Sequence, residues 1–377
     1  MDPELGLSIL SDIMRWDDER SRQEFQWLRL MARLKYDGYR DFLAGVRFFE
    51  SLAYWLQQFQ MDERETAYQF IRRKLVYIGS AEITHLAERF YHQEVEGRLL
   101  QAVSQRCGVP PYRVWTNAAA TEEFRRQKRK ALFMALSDGA RMDVIRHANV
   151  RNLSNEQFVG VTQADVDKWE DLLKELRKEL KDASAKFSLV YLIDDFTGSG
   201  NSLLRPDDKK EGEWKGKLMG FRKSIEKITD NPYLEDGWTL CVHHYIGGHA
   251  ASESIKTREA DARRRYESEG WFNAVNFSFG MILPRNCPIQ SEGNGNEGFI
   301  ALTDKYYNPS IEDRHTDVGG VKNIALGFGA CGFPVVLEHN TPNNSVALLW
   351  AEAEPCEMDG ANHPVMRPLF RRRPRHF

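Results

Sequence analysis

The chain has few cysteines, and they do not cluster. Cys107, Cys241, Cys287, Cys331 and Cys356 are odd in number and far apart. That excludes a disulfide framework and a CxxC metal knuckle, and it fits reduced thiols in a cytoplasmic setting. No apolar run approaches the roughly 18–20 residues a bilayer-crossing helix needs. The opening Met1-Asp2-Pro3-Glu4 lacks the basic and apolar segments of a signal peptide. A large excess of either charge is also missing: Lys+Arg 52 against Asp+Glu 55 leave a net charge of −3. Such a balance does not describe a dedicated duplex-DNA binder. Short-period repeats and low-complexity tracts are lacking as well. What is there is a chain of 377 residues, 42% hydrophobic and 11% aromatic, long enough for two domains and able to bury a core.

The first hundred or so residues read as helix. Phe48, Phe49, Leu52, Tyr54, Trp55, Leu56 and Phe59 recur at helical spacing, as do Phe70, Ile71, Leu75 and Ile78 after Asp62-Glu63. Ser80 begins a further helix through Leu86, Phe90, Val95 and Leu99, stopped by Gly108-Val-Pro110-Pro111. From about residue 125 the pattern changes to short apolar runs: Ala131–Leu136, Ser188–Ile193, Trp238–Val242, Val275–Phe279, Pro334–Leu337 and Ser345–Trp350. Polar helical stretches, Gln163–Ala183 and Ala250–Glu269, separate several of them. Apolar strands alternating with amphipathic helices imply an α/β domain with a parallel sheet covered on both faces. The expected division is therefore a helical domain over 1–124 and an α/β domain over 125–377. Arg205–Gly216 and Ser291–Gly298 read as surface loops.

One segment concentrates chemistry. The strand Leu189–Ile193 runs into Asp194 and Asp195, then Phe196 and the small polar loop Thr197, Gly198, Ser199, Gly200, Asn201, Ser202. Glycines let a backbone approach an anion, successive N–H groups form a nest, and hydroxyls donate to phosphate oxygens. Carboxylates at the carboxyl edge of a strand can accept from sugar hydroxyls or reach a hydrated Mg²⁺. No lysine follows Gly200 as a Walker loop requires, and Gly198-x-Gly200 falls short of a dinucleotide fingerprint. The plainer reading is a strand-to-helix turn capped by Asp and Ser. An earlier strand, Leu132–Leu136, leads into Ser137, Asp138, Gly139, Ala140 and Arg141 before Met142–Ile145. Backbone N–H groups there, with Arg141 beside them, would suit a second anion. The plainer alternative is an Asp-Gly turn with Arg141 paired to a surface carboxylate.

The Asp194–Ser202 loop resembles the diphosphoribosyl-binding motif of type I phosphoribosyltransferases, aligning over nine residues without a gap. Taken with Leu136–Arg146, Leu153–Gln157, Glu312-Asp313-Arg314-His315, His339–Ser345 and Arg373-Pro-Arg-His376, the chain is similar to one narrower family from about residue 40 onward. This is PRTase-CE, the phosphoribosyltransferase-like family associated with bacterial conflict and anti-phage systems. The resemblance implies a type I phosphoribosyltransferase-like parallel sheet, with phosphoribosyl diphosphate or a nucleotide as ligand and Mg²⁺ carried by the substrate. It places Asp194 and Asp195 on the ribose 2′- and 3′-hydroxyls, Gly198–Ser202 around the 5′-phosphate, and Ser137–Arg141 on the diphosphate. It also implies an effector acting at the ribose C1′ bond, as a glycosyl transferase or nucleotide glycohydrolase. The alternative is a non-catalytic nucleotide sensor in a defence complex.

Two positions depart from the pattern. Asn201 replaces the loop's last glycine, and its tolerance of the left-handed region would preserve the cradle. Gly198 stands where purine-salvage relatives carry an acid that activates the base, so that role falls elsewhere. Secondary candidates are His339, Asn340, Asn343 and Asn344, which read equally as a nucleobase-edge reader and as a turn joining two strands. Glu312–His315 lacks the helical spacing of a zinc pair, and a loop salt bridge is the better reading. His243 and His244 are adjacent on a strand, so at most one faces the site. The basic runs 125–130 and 367–376 leave nucleic acid, or an acidic protein, open as a partner, while Phe370 and Phe377 allow the tail to dock onto the fold.

Overall fold

The computed structural model describes residues 3–227, 232–289, 295–313, 316, 319–358 and 360–372. The chain forms two compact units, one from Met1–Glu82 with Pro284–Phe377 and the other from Ile83–Leu283. This division runs elsewhere than the expected boundary at 124/125. Helical character is set by local spacing, whereas membership of a unit is set by what each apolar face covers. The helices Ser80–Phe90 and Gly97–Cys107 illustrate the point. From the latter part of the first onward they pack on the parallel sheet: Phe90 lies 6.0 Å from Phe133 and 5.2 Å from Tyr191, ring centre to ring centre. Gly108 ends the second helix in the left-handed region at φ 65°, as the Gly-Val-Pro-Pro stop predicts.

Five parallel strands form the sheet of the 83–283 unit: β1 (Ala131–Ala135), β2 (Phe158–Gly160), β3 (Phe187–Thr197), β4 (Leu234–Gly248) and β5 (Val275–Leu283). Their spatial order is β2-β1-β3-β4-β5. β1 registers with β3 from Ala131↔Leu189 to Ala135↔Ile193, and β3 with β4 as far as Thr197↔Gly247. Alternation sends Leu132, Met134, Val190, Leu192, Leu240 and Val242 to one face, where helix Val166–Leu180 supplies Trp169, Leu172 and Leu176. Phe133 and Tyr191 take the opposite face against Phe90, and the Tyr191 hydroxyl donates to Glu94 O at 3.0 Å. Both faces are covered, which explains runs that read as almost continuously apolar.

Two expectations fail here for the same reason. Pro334–Leu337 does yield a strand, Val335–Leu337, but it pairs with Val76–Ile78 in the other unit. Ser345–Trp350 is no strand: Ala347–Trp350 is a single helical turn with Ala347, Leu348 and Leu349 all buried. A short apolar run records burial, not backbone shape. The converse miss is β2, whose three residues carry too little pattern to be noticed. The Arg205–Gly216 loop closes on itself through Arg205–Pro206 pairing with Trp214–Lys215, while 291–294 of the second expected loop lie outside the described residues.

The unit of 1–82 and 284–377 is built on helices Asp18–Leu34, Phe48–Leu56 and Arg64–Arg73, with Glu297–Lys305 from the later segment. Phe370 is fully buried in its core, against Tyr36, Tyr39, Phe42, Phe48 and Tyr77. Trp55 donates from its indole N–H to Leu348 O at 2.7 Å. Among the described residues, no helix is long and apolar enough to cross a membrane.

Candidate functional site

The order of the sheet places the site. From β1 the chain moves outward to β2, then crosses back to β3 on the other side, so the order reverses between β1 and β3. At such a reversal, outside the carboxyl ends of the two strands, open α/β sheets bind ligands. The two loops singled out in the sequence leave these same strands.

β3 does not stop at the acid pair. It continues to Thr197 because β4 still pairs with it there, while β1 has ended at Ala135. Asp194 and Asp195 therefore project beyond the β1 edge, and alternation sends them to opposite faces. Asp194 is 3% exposed and shares its face with His244, its register partner. Its Oδ1 accepts from the Ser137 hydroxyl and its Oδ2 from the Lys217 ammonium. Burial raises the Asp194 carboxyl and the neighbouring Asp195 charge adds to it, while Lys217 and Ser137 work in the opposite direction. Asp195 is half-buried, and its Oδ1 accepts from Phe196 N at 2.7 Å. On its side of the sheet the Tyr245 hydroxyl holds the first loop by donating to Ala140 O at 2.5 Å. The Ser137–Arg141 loop thus touches both acids, Asp194 through Ser137 and Asp195 through Gly139, where an added β-carbon would meet Oδ2 at 2.3 Å. Arg141 takes φ 47°, an uncommon conformation for a residue with a side chain.

The second loop is anchored from helix His249–Arg265. Ser199 O accepts from Arg258 Nη1 at 3.0 Å and from the Ser254 hydroxyl at 3.3 Å. Gly200, at φ 76°, is the residue that occupies the left-handed region. A β-carbon there would stand 2.6 Å from Ile255 Cγ1. Asn201 has ordinary φ, so the left-handed tolerance expected of it is not what the loop uses. Its N–H reaches Ser199 Oγ at 3.3 Å, and its carbonyl accepts from Arg205 at 3.0 Å. Thr197 and Gly198 are buried and Ser202 is exposed. Among the described residues, Thr197 Oγ1 finds no hydrogen-bond partner.

Sequence reasoning missed Lys217. It opens helix Lys217–Glu226 and is separated from the loop by the Arg205–Lys215 hairpin. Gly216, at φ 122°, lets the helix start dock on the loop; a β-carbon there would fall 2.3 Å from Leu203 O. No spacing rule signals a lysine delivered by an insertion. Of the paired histidines, His244 is on the Lys217 side. His243 accepts or donates at Nδ1 with Ser278 Oγ at 2.9 Å and packs on Phe90. Burial takes both imidazoles down to about 3; His244 adds to the shift at His243, and at His244 Lys217 adds to it while Asp195 opposes it.

A cleft of about 580 Å³ opens beside the first loop, on the β2 side, lined by Ser137, Asp138, Asp143, Arg146, Phe158 and Gly160 among others. His339, Asn340, Asn343 and Asn344 belong to the other unit. There Asn343 O accepts from Phe328 N at 2.6 Å, Asn344 Nδ2 donates to Phe328 O at 3.0 Å, and Asn340 and Leu337 exchange backbone bonds at 3.1 Å. The Leu337–Asn340 pair closes a turn, while the bonds of Asn343 and Asn344 tie the segment to Phe328. Glu312 and Asp313 take Tyr307 and Thr316 as partners, at 2.6 Å and 2.9 Å; residues 314 and 315 lie outside the described residues. Within the basic run, Arg125, Arg126, Arg129 and Lys130 pair with Glu122, Asp182, Glu179 and Glu235. The tail run is anchored by Phe370 and by Arg371 on Glu352, and 373–377 lie outside the described residues.

Comparison with curated proteins and with solved structures gave no match. A family model does match, across residues 52–372 and so across both loops and most of the chain. The chain belongs to the PRTase-CE family, and its function is accordingly phosphoribosyltransferase-like.

Proposed function

We propose that the 83–283 unit binds phosphoribosyl diphosphate or a nucleotide in the crevice between β1 and β3 and acts at the ribose C1′ bond, as an effector in a bacterial anti-phage or conflict system. One observation carries this reading: Ser137 on the first loop and Asp194 on β3 are hydrogen-bonded across the point where strand order reverses, which brings the first loop against the strand that enters the second. A type I phosphoribosyltransferase arrangement assigns the Thr197–Ser202 loop to the 5′-phosphate and Ser137–Arg141 to the diphosphate. Asp195, the more accessible acid, is the better placed for a sugar hydroxyl. Asp194 orients the crevice through its own partners.

Cleavage at C1′ passes through an oxocarbenium-like state, so the protein must fix the sugar and stabilise the departing group. Arg141 and the backbone of Ser137–Gly139 suit a diphosphate leaving group. Among the described residues no three His, Cys, Asp or Glu side chains cluster as a metal site. A Mg²⁺ brought by the diphosphate would be touched by one carboxylate, with the half-buried Asp195 the candidate. Bound so, the ion would neutralise the leaving diphosphate.

A second reading, a nucleotide sensor without turnover, is favoured by Gly198 in the place of the base-activating acid. Incubation with phosphoribosyl diphosphate and nucleotide pools, followed by mass spectrometry, separates the two. Turnover lost in Asp194→Asn/Asp195→Asn with the fold retained supports catalysis. Saturable binding with no product supports the sensor, and an active, folded double variant removes the assignment.

A further inference from the structure

Lys217 spans the second loop from end to end. Its backbone N–H donates to Ser202 O at 3.0 Å, at the loop's exit. Its ammonium reaches back to Asp194, at the loop's entrance. The next residue repeats the anchor, Leu218 N to Leu203 O at 3.0 Å, so the helix start is fixed on the loop. Gly216 makes this docking possible, because any β-carbon there would collide with the Leu203 carbonyl. The side chains of the pair differ in exposure: Asp194 is 4% exposed and Lys217 34%. An ammonium has three donors, and the Asp194 bond takes one of them. Two polar atoms, one on the loop and one on β4, are buried without partners among the described residues. One is Thr197 Oγ1, within the loop; the other is His244 Nδ1, whose imidazole feels the Lys217 charge.

Charge gives this arrangement a use. Adjacent carboxylates at 194 and 195 would repel a phosphate brought to the loop that follows them. A lysine paired with Asp194 compensates one of them and keeps two further donors on a side chain that is partly exposed.

We infer that Lys217 is a ligand-binding residue of the Asp194–Ser202 loop, recognising the phosphate of a phosphorylated ribose and so selecting nucleotides or ribose phosphates over nucleosides. This rests on the reading that the crevice binds phosphoribosyl diphosphate or a nucleotide. The chain thereby gains in space the cation that its loop lacks in sequence, delivered by the 205–215 hairpin.

The test is calorimetric binding of AMP, adenosine and phosphoribosyl diphosphate to the full chain and to Lys217→Met and Lys217→Arg. The wild-type chain should prefer AMP over adenosine. Lys217→Met should reduce that preference by roughly ten- to a hundredfold, the worth of one charge-assisted hydrogen bond. Lys217→Arg should keep most of it. Should Lys217→Met melt below the assay temperature, Lys217→Gln, which can still donate to Asp194, serves for the same comparison. Equal weakening of AMP and adenosine would mean that Lys217 only supports Asp194, and the inference falls. It falls too if the wild-type chain binds both equally, although the nucleotide site then stands. Binding of none of the three probes by the folded wild-type chain overturns the underlying reading itself.

Discussion

Gly139 lies so close to Asp195 that a β-carbon on it would stand 2.3 Å from Oδ2 and 2.6 Å from Cγ of the carboxylate. The first loop can cross the end of β3 only because nothing projects from that position. Gly139→Ala must push the Asp195 carboxylate or the loop aside. We expect a stability loss of about 1–3 kcal/mol from overpacking, with ligand affinity falling by more than stability alone accounts for. Denaturant unfolding and calorimetry on the same sample check both. Unchanged affinity would mean that Asp195 does not need its present orientation.

Gly200 offers a comparison in the second loop. Its φ of 76° and the 2.6 Å approach of Ile255 Cγ1 each oppose a side chain. Gly200→Ala should lower stability by about 1–3 kcal/mol, whereas Asn201→Gly should change little, since Asn201 keeps ordinary φ. Reversal of this ranking in urea midpoints would show that Asn201 carries the strain.

His243 and His244 make stability acid-sensitive. Both fold with pKa depressed from 6.5 to about 3, so the unfolded chain binds more protons between these values. Stability is therefore fully present above pH 6.5 and is lost as pH falls toward about 3. Each histidine contributes a slope of up to about 1.4 kcal/mol per pH unit in that window. Asp194 acts with the opposite sign, its raised pKa making the folded state favour the proton there. Replacing His244 by Gln should flatten the decline of melting temperature on acidification; a curve parallel to the wild type would contradict this.

Phe370 anchors the arginine-rich tail. It is fully buried among five aromatic rings, and Phe370→Ala should destabilise the 1–82/284–377 unit by about 3–5 kcal/mol. Melting should shift accordingly, while an unchanged melt would show the tail to be dispensable for that unit.

Much of the site could be read before folding. The apolar run before Asp194 marks a strand, and in open α/β sheets the carboxyl end of a strand is the edge where a ligand would bind. The stop at Gly108 and the helix from Ser80 were equally legible, because caps and breakers act over a few residues.

What sequence alone determined was local: which runs become strands covered on both faces, and which small polar loops follow them. The tertiary structure decided everything that depends on neighbours distant in the chain. Strand order brought Ser137 to Asp194, the 205–215 hairpin brought Lys217 there, and packing sent Ala347–Trp350 into a helical turn. It also paired the basic residues at 125–130 largely with carboxylates of their own unit. The physical reason is one of range. Backbone preferences and caps are decided within about one turn or hairpin, while charge compensation and burial depend on contacts that only the closed fold makes.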